Sequence, residues 1–262
     1  MMRKIRLGLC GIGKAGKEFI EYILGNTKDV EICVVLCRET SDSAGKNLSD
    51  STGIKLNKDL MIKKISDFKN DENLDVLVDF SAADTSMNLH EVCCKYGINM
   101  VICPNSFTED QIACIKENSD KYKIGVVYAP VLTIGINVLI DYVKKLSMLL
   151  NDGSFEIIEM HEKNKIKPTK TARMIAESID RKEVPIHSVR LNGFVGVHEV
   201  IMTDGLENID IVHKSLNRGA FARAANVAVH YIYEKKGFYY MNDVVNQIIY
   251  QNSVVRENEW KK

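Results

Sequence analysis

The sequence predicts an α/β protein: a Rossmann-like, doubly wound parallel sheet, followed by a second α+β domain with a mixed or antiparallel sheet. Three observations carry this. Apolar segments rich in β-branched residues alternate with helical segments over the first half of the chain. A glycine loop, GIGKAG at 11–16, joins the first apolar segment to the first helical one. Past residue 150 the texture changes to successive strand-like segments with turn residues between them.

Taken in order, KIRLGLC (4–10) reads as a short buried strand ending in glycines. Residues 14–24 have helical spacing, with Phe19, Ile20, Ile23 and Leu24 on one face. VEICVVLC (30–37) is an apolar run rich in β-branched residues, as expected of a strand covered on both sides. LDVLVDFS (74–81) and NMVICP (99–104) repeat that character, and helical patterns lie between and after them. YAPVLTIGINVLIDYVKKLSMLL (128–150) reads as a loop and a helix. FEIIEMH, PIHSVRL, GFVGVHEVIMT and ENIDIVH then follow as strands, with one helix, TARMIAESIDRK, among them. GAFARAANVAVHYIYEKK is a long helix, and FYYMNDVV begins a short C-terminal piece.

Composition excludes several classes. The 262 residues carry 35 basic and 35 acidic side chains, so no global field attracts nucleic acid or an anionic membrane. No segment reaches the ~20 apolar residues a membrane helix needs, and glycines and a lysine interrupt the N-terminal apolar run where a signal peptide would continue. The seven cysteines form neither a CxxC pair nor a zinc pattern, and they read as buried thiols of a cytoplasmic protein. The six histidines fall into no ligand spacing, so no metal is expected. A serine nucleophile has no glycine-flanked elbow to rest on.

The glycine loop is the first chemical signal. Gly11 permits a tight turn, Gly13 lets the backbone approach a pyrophosphate, and Gly16 lets helix and strand pack closely. Ile12, Lys14 and Ala15 complete the loop, and the helix start holds the phosphates with its free N–H groups and dipole. The end of the second strand should select the cofactor. Arg38 can pair with the 2′-phosphate of NADPH, and Lys14 adds charge; Glu39 can instead reach the ribose of NADH. The balance favours NADPH, with NADH left open.

The second signal is EIIEMHEKNKIKPTKTA (156–172), where Glu159 and His161 share one face of a strand. The helix beginning near Thr171 points its N-terminus back into the loop of Lys165, Thr169 and Lys170, which suits a carboxylate. Lys163 and Lys167 read as solvent-facing. His198 and His213, on later strands, read as hydrogen-bonded core or surface residues.

Seven motifs, in order, resemble those of the 4-hydroxy-tetrahydrodipicolinate reductases, pyridine-nucleotide enzymes of the diaminopimelate route to lysine. They are GIGKAG, VDFSAAD, VICPNSFTEDQ, APVLTIGIN, EIIEMHEKNKIKPTKTA, RGAFARAA and FYYMNDVV. The resemblance implies that Phe80, Ser81, Cys103, Pro104, Asn105, Ala129 and Leu132 line the cofactor site. It makes His161 the proton donor and Lys165 the residue that holds the substrate, a cyclic imine dicarboxylate. Glu162, Thr169, Lys170, Thr171 and Arg218 become candidate substrate contacts. It further implies a nucleotide domain of residues 1–129 with 239–262, a substrate-binding and oligomerisation domain of 130–238, and a homotetramer built through the second domain's sheet. The two domains would be hinged, so that closure brings hydride donor and acceptor together. Arg190 reads as structural.

Departures from the family pattern cluster at the ligands. The family's second histidine is Glu162, its aspartate-alanine pair before proline has shrunk to Lys167, and Ser-Gly-Thr has become Thr169-Lys170-Thr171. Gly-Thr-Thr-Gly is replaced by Cys103-Pro104-Asn105-Ser106, and the hinge asparagine after proline is Val131. A carboxylate such as Glu162 at ~4 Å from a substrate carboxylate would oppose it by about 4 kcal/mol at an effective dielectric of ~20. Two other readings stay open on the sequence: a reductase of a different cyclic imine, and a non-catalytic nucleotide-binding homologue.

Overall fold

The computed structural model describes residues 3–56, 58–150 and 152–260, with side chains described as far as residue 253. The chain forms two compact units, one of Met1–Leu132 with Phe221–Lys262 and the other of Thr133–Ala220. The outermost residues of the expected first domain, 1–2 and 261–262, lie outside the described residues.

The first unit begins β1 (Ile5–Cys10), α1 (Lys14–Asn26), β2 (Val30–Cys37), α2 (Leu48–Thr52), β3 (Ile62–Lys64), β4 (Val76–Asp79), α3 (Ala83–Tyr96), β5 (Asn99–Ile102), α4 (Glu109–Tyr122) and β6 (Gly125–Tyr128). The second unit holds α5 (Ile134–Leu149), β7 (Ser154–His161), α6 (Lys170–Ser178), β8 (Ile186–Arg190), β9 (Gly196–Thr203) and β10 (Asn208–Ser215). Then α7 (Gly219–Ile232), β11 (Gly237–Tyr240) and α8 (Met241–Trp260) close the chain.

Seven strands run parallel in the order β11-β6-β5-β4-β1-β2-β3. β4, β5 and β6 are buried at every position, which is why their sequences are mainly apolar rather than alternating, with Asp79 and Asn99 the buried polar exceptions. Sequence order reverses at β1 and β4, whose C-terminal ends form the switch point where such sheets take their ligands. Local signals stop and start the helices: Gly97 ends α3 at φ +69°, and Thr108 with Gln111 forms a capping box at the start of α4. Five of the seven cysteines are buried, Cys103 is half-buried and Cys114 is exposed, so the reading of buried thiols fits five of them.

The boundary of the first unit differs from the sequence expectation, which rejoined it at residue 239. From Phe221 onward α7 belongs to it, burying Ala222, Ala224, Ala225, Ala228, Val229 and Ile232. Asn99, buried at the start of β5, donates its side-chain amide to the carbonyls of Ile232 (2.5 Å), Tyr233 (3.0 Å) and Lys235 (3.2 Å). Its side-chain oxygen accepts the Gly125 N–H at 2.7 Å. The two hydrogens of one amide are thus shared among three carbonyls at and beyond the end of α7, of which Ile232's also accepts the Lys235 N–H at 3.0 Å. The spacing of strands and helices along the sequence carries no trace of this long-range tie.

In the second unit four strands form a mixed sheet, β10-β9-β7-β8, with β7 parallel to β8 and antiparallel to β9. Phe155, Ile157, Val200 and Met202 point to one face and pack with Leu139 and Val143 of α5 and Ala172 and Ile175 of α6. The period of two puts Ile158, Val189, Ile201 and Val212 on the opposite face. Val212 there is 45% exposed.

Candidate active site

The predicted nucleotide residues converge in the first unit at the C-terminal ends of adjacent strands. Gly11 follows β1, Arg38 follows β2, Phe80 and Ser81 follow β4, Cys103 to Asn105 follow β5, and Ala129 follows β6. The three glycines differ in kind. At Gly11, φ is +91° and a Cβ would lie 2.9 Å from the Phe80 backbone; at Gly16 it would lie 1.9 Å from the Gly11 carbonyl oxygen. Both are structural necessities. A Cβ at Gly13 would meet nothing within 4 Å, so this is the open point of the loop.

Gly13 is the N-cap of α1 and offers no side-chain cap, and no acidic residue lies in the first turn. The positive end of the helix is therefore uncompensated, as suits a pyrophosphate. Gly13, Lys14 and Ala15 border the opening, and Lys14 is exposed. Opposite the loop, buried Asp79 accepts the Ser81 N–H at 2.8 Å and the hydroxyl of Ser86, while Phe80 donates its N–H to the Cys10 carbonyl at 2.9 Å. Phe80 also packs on Phe19 of α1 at 5.5 Å between ring centroids. Leu132 is buried at the end of this unit. The residues present fit a dinucleotide.

Glu39 is committed elsewhere. Its carboxylate accepts the Ser66 N–H (3.0 Å) and hydroxyl (2.9 Å), capping the 3-10 turn Ile65–Asp67. Those hydrogen bonds hold its pKa below the ordinary value. Arg38 beside it is exposed and forms no ion pair among the described residues.

The second unit assembles a different cluster. Alternation on β7 turns Glu159 and His161 inward. Across the sheet, His198 of β9 stands opposite Glu159 and Arg190 of β8 stands opposite His161. Glu159 is fully buried, and its oxygens accept from the Ser188 hydroxyl (2.6 Å), Arg190 Nη2 (2.6 Å), the Thr169 N–H (3.1 Å) and the Thr169 hydroxyl. Burial alone would raise its pKa; the donors from Ser188, Thr169 and Arg190 outweigh it and hold the carboxyl at about 2.

His161 is buried, and its Nδ1 lies 3.2 Å from the Val195 carbonyl oxygen. A carbonyl only accepts, so Nδ1 carries a hydrogen and Nε2 is the nitrogen that gains or loses the transferable proton. Nε2 lies 3.5 Å from His198 Nε2 and 3.9 Å from a Glu159 oxygen. Burial holds the imidazole below its ordinary pKa, against the pull of Glu159, and Arg190 and Lys165 add to the lowering. His198 is pushed to about 3, by burial first and by His161 next.

Glu159, His161 and His198 bring three potential ligand atoms within 4.8 Å of one another, although no metal spacing is visible along the chain. The convergence is made by strand register rather than by sequence. It does not suit a cation, because the Glu159 oxygens already accept from Thr169, Ser188 and the guanidinium of Arg190.

Lys165 and Glu162 are exposed in the loop that follows, where water and salt screen the charge of Glu162. Thr169 departs from its expected role. Its hydroxyl donates to Glu159 and accepts the Ala172 N–H at 3.3 Å, so the side chain is spent as the N-cap of α6. Lys170 and Thr171, in the first turn of α6, are half-buried. Arg218 precedes α7 and forms no ion pair among the described residues. Arg190 and His198, which the sequence reading set aside as structural, join the Glu159–His161 cluster through the β7–β8–β9 register.

A glycine-loop nucleotide fold with a separate mixed-sheet unit, which carries a buried histidine and a nearby lysine, defines a pyridine-nucleotide-dependent reductase. Family models described as the N-terminus and C-terminus of dihydrodipicolinate reductase match residues 5–131 and 135–245. The chain belongs to the dihydrodipicolinate reductase family. It is 31% identical to the 4-hydroxy-tetrahydrodipicolinate reductase of Buchnera aphidicola subsp. Schizaphis graminum over 94% of this chain and 98% of that one. It is 39% identical to that of Thermosipho africanus over 66% of this chain and 79% of that one. Among solved structures, a dipicolinate-bound dihydrodipicolinate reductase from Paenisporosarcina sp. TG-14 has the same fold, with a TM-score of 0.72 at 24% identity over 90% and 97% of the two chains. An amine dehydrogenase from Mycobacterium smegmatis shares the fold at a TM-score of 0.67 and 10% identity, over 91% and 95%.

Proposed function

We propose that this chain reduces 4-hydroxy-tetrahydrodipicolinate to tetrahydrodipicolinate in lysine biosynthesis, with NADPH as the preferred reductant and His161 and Lys165 as the catalytic pair. The observation that carries the reading is the pairing of His161, on buried Glu159, with a basic loop four residues on. Bound at the glycine loop, the reduced nicotinamide supplies the hydride. The chain's own residues do the rest. His161, through Nε2, protonates the electron pair that hydride addition leaves on the ring. Lys165 and the N-terminal turn of α6 hold the carboxylates by charge-assisted hydrogen bonds. In the free protein burial keeps His161 neutral; a dianionic substrate beside it raises its pKa, so the acid is charged when it is needed.

NADPH is favoured because Glu39, the group suited to a ribose hydroxyl, caps the turn at Ser66, while Arg38 is exposed. Ile158, Val189, Ile201 and Val212, an apolar set on the outer face of the second sheet among Glu156, His187 and Glu199, support a homotetramer built through it. The test is steady-state NADPH and NADH oxidation with freshly generated substrate, for the wild type, His161→Ala and Lys165→Ala. Turnover that prefers NADPH and falls by roughly 10²–10⁴ in His161→Ala supports the reading. Full turnover in that variant removes His161 as the acid.

A further inference from the structure

The loop from His161 to Thr169 is held in place by one arginine. Arg190 ends β8 directly opposite His161, and its side chain is 5% exposed. Its Nε donates to the Lys165 carbonyl at 3.0 Å, and its Nη2 serves both the Ile166 carbonyl and Glu159, the latter at 2.6 Å. Three partners in three directions need a planar group with several fixed donors, which lysine cannot supply. Around it the loop is closed by further bonds. The Leu191 N–H donates to the His161 carbonyl at 3.0 Å, and the Lys165 N–H to the Glu162 carbonyl at 3.0 Å. At the far end both Glu159 oxygens receive the Thr169 N–H. The Glu159–Arg190 pair therefore touches the loop at residues 165, 166 and 169, between the buried histidine and the start of α6.

The Lys165 side chain itself is exposed and forms no hydrogen bond or ion pair among the described residues. A long, flexible ammonium group of this kind is placed by its backbone or not at all, and ordering it when a ligand arrives costs rotamer entropy. We propose that Arg190, anchored on Glu159, is a positioning residue of this reductase. By holding the carbonyls of Lys165 and Ile166, it sets where the Lys165 ammonium reaches relative to His161. The proposal rests on Lys165 being a substrate contact, and extends that reading to a residue that touches neither substrate nor cofactor.

A double-mutant cycle on the full chain tests it. The probe is dipicolinate, titrated by calorimetry in the presence of NADPH, into wild type, Lys165→Ala, Arg190→Lys and the double variant. Calorimetry reads binding without needing turnover. If Arg190 acts through Lys165, Arg190→Lys weakens dipicolinate by about tenfold in the wild-type background and by less than about twofold when Lys165 is already alanine. NADPH affinity of Arg190→Lys stays near wild type, since the exchange leaves the glycine loop unchanged, and the variant remains folded because the charge facing Glu159 is kept. An equal loss in both backgrounds, or no loss in a folded Arg190→Lys, overturns the proposal. Should Arg190→Lys fold poorly, Arg190→Ala with added guanidinium decides the same question. Guanidinium restores dipicolinate affinity when Lys165 is present and does nothing on Lys165→Ala; restoration in both backgrounds, or in neither, overturns it. Failure of the underlying reading looks different, because Lys165→Ala alone then binds dipicolinate like wild type.

Discussion

Exchanging Glu159 for glutamine removes the single buried charge on which Ser188, Thr169 and Arg190 converge. The carboxyl sits at about 2, against an ordinary value of 4.5, a gap of about 2.5 units. At 1.36 kcal/mol per unit, the charged form stabilises the folded state by roughly 3 kcal/mol more than the neutral form does. Glutamine also leaves Arg190 without its counter-ion at a site where its side chain is 5% exposed, a loss of similar size that overlaps with the first. The expected cost of Glu159→Gln at pH 7 is therefore about 3–4 kcal/mol, falling on the unit that contains β7 and β8. Urea unfolding followed by circular dichroism measures it, and hydrogen exchange of β7 and β8 amides assigns the affected transition.

The pH dependence has a definite sign. A depressed folded-state pKa contributes stability that is complete above the unfolded value and disappears as pH falls through the folded one. The gap between wild type and Glu159→Gln is thus constant above about pH 4.5 and closes toward pH 2. A variant within about 1 kcal/mol of wild type at pH 7, or a gap that ignores pH over that window, refutes the assignment of Glu159 as the charged anchor of the loop.

Four other outcomes follow from the same geometry. Gly16→Ala, whose Cβ would lie 1.9 Å from a backbone oxygen, destabilises the first unit, whereas Gly13→Ala folds normally and weakens NADPH binding; paired thermal melts and cofactor titrations distinguish them. Asn99→Ala orphans carbonyls at the end of α7 and costs about 2–4 kcal/mol by urea titration, with exchange protection lost first around β11. Ile201→Lys, on the outer face of the second sheet, reduces the mass seen by light scattering while leaving each chain folded. In pH–rate profiles, the alkaline limb of kcat lies at higher pH than that of kcat/KM, because bound dicarboxylate raises the pKa of His161; in His161→Ala both limbs vanish.

Much of the fold could be read from the chain because its evidence is local. The largely apolar runs of β2, β4, β5 and β6 point to burial on both faces, and the glycine spacing marks the turn after β1. His161 and Lys165 stood out through the resemblance of residues 156–172 to the family's signature, His161 closing β7 and Lys165 lying in the loop after it. What was not legible depends on contacts between distant segments. Arg190 looked structural because nothing near residue 190 names Lys165, which meets it only through the register of β7 with β8. Thr169 was expected at the substrate, and only the approach of Glu159 from β7 shows that its hydroxyl is already used. Glu39 competes for the cofactor on the sequence alone, whereas in the fold Ser66 occupies it. The assignment of α7 to the first unit likewise turns on Asn99, more than a hundred residues earlier.

The proposed reaction passes hydride from NADPH to a cyclic imine dicarboxylate and protonates the resulting electron pair with His161. Transfer of deuterium from NADPH dideuterated at C4 to the product, read by mass spectrometry, tests both halves at once, with the His161→Ala, Lys165→Ala double variant as control. One deuterium per product molecule is expected in the wild type, and almost no product in the control. Unlabelled product, or labelled product formed equally well by the control, would contradict it.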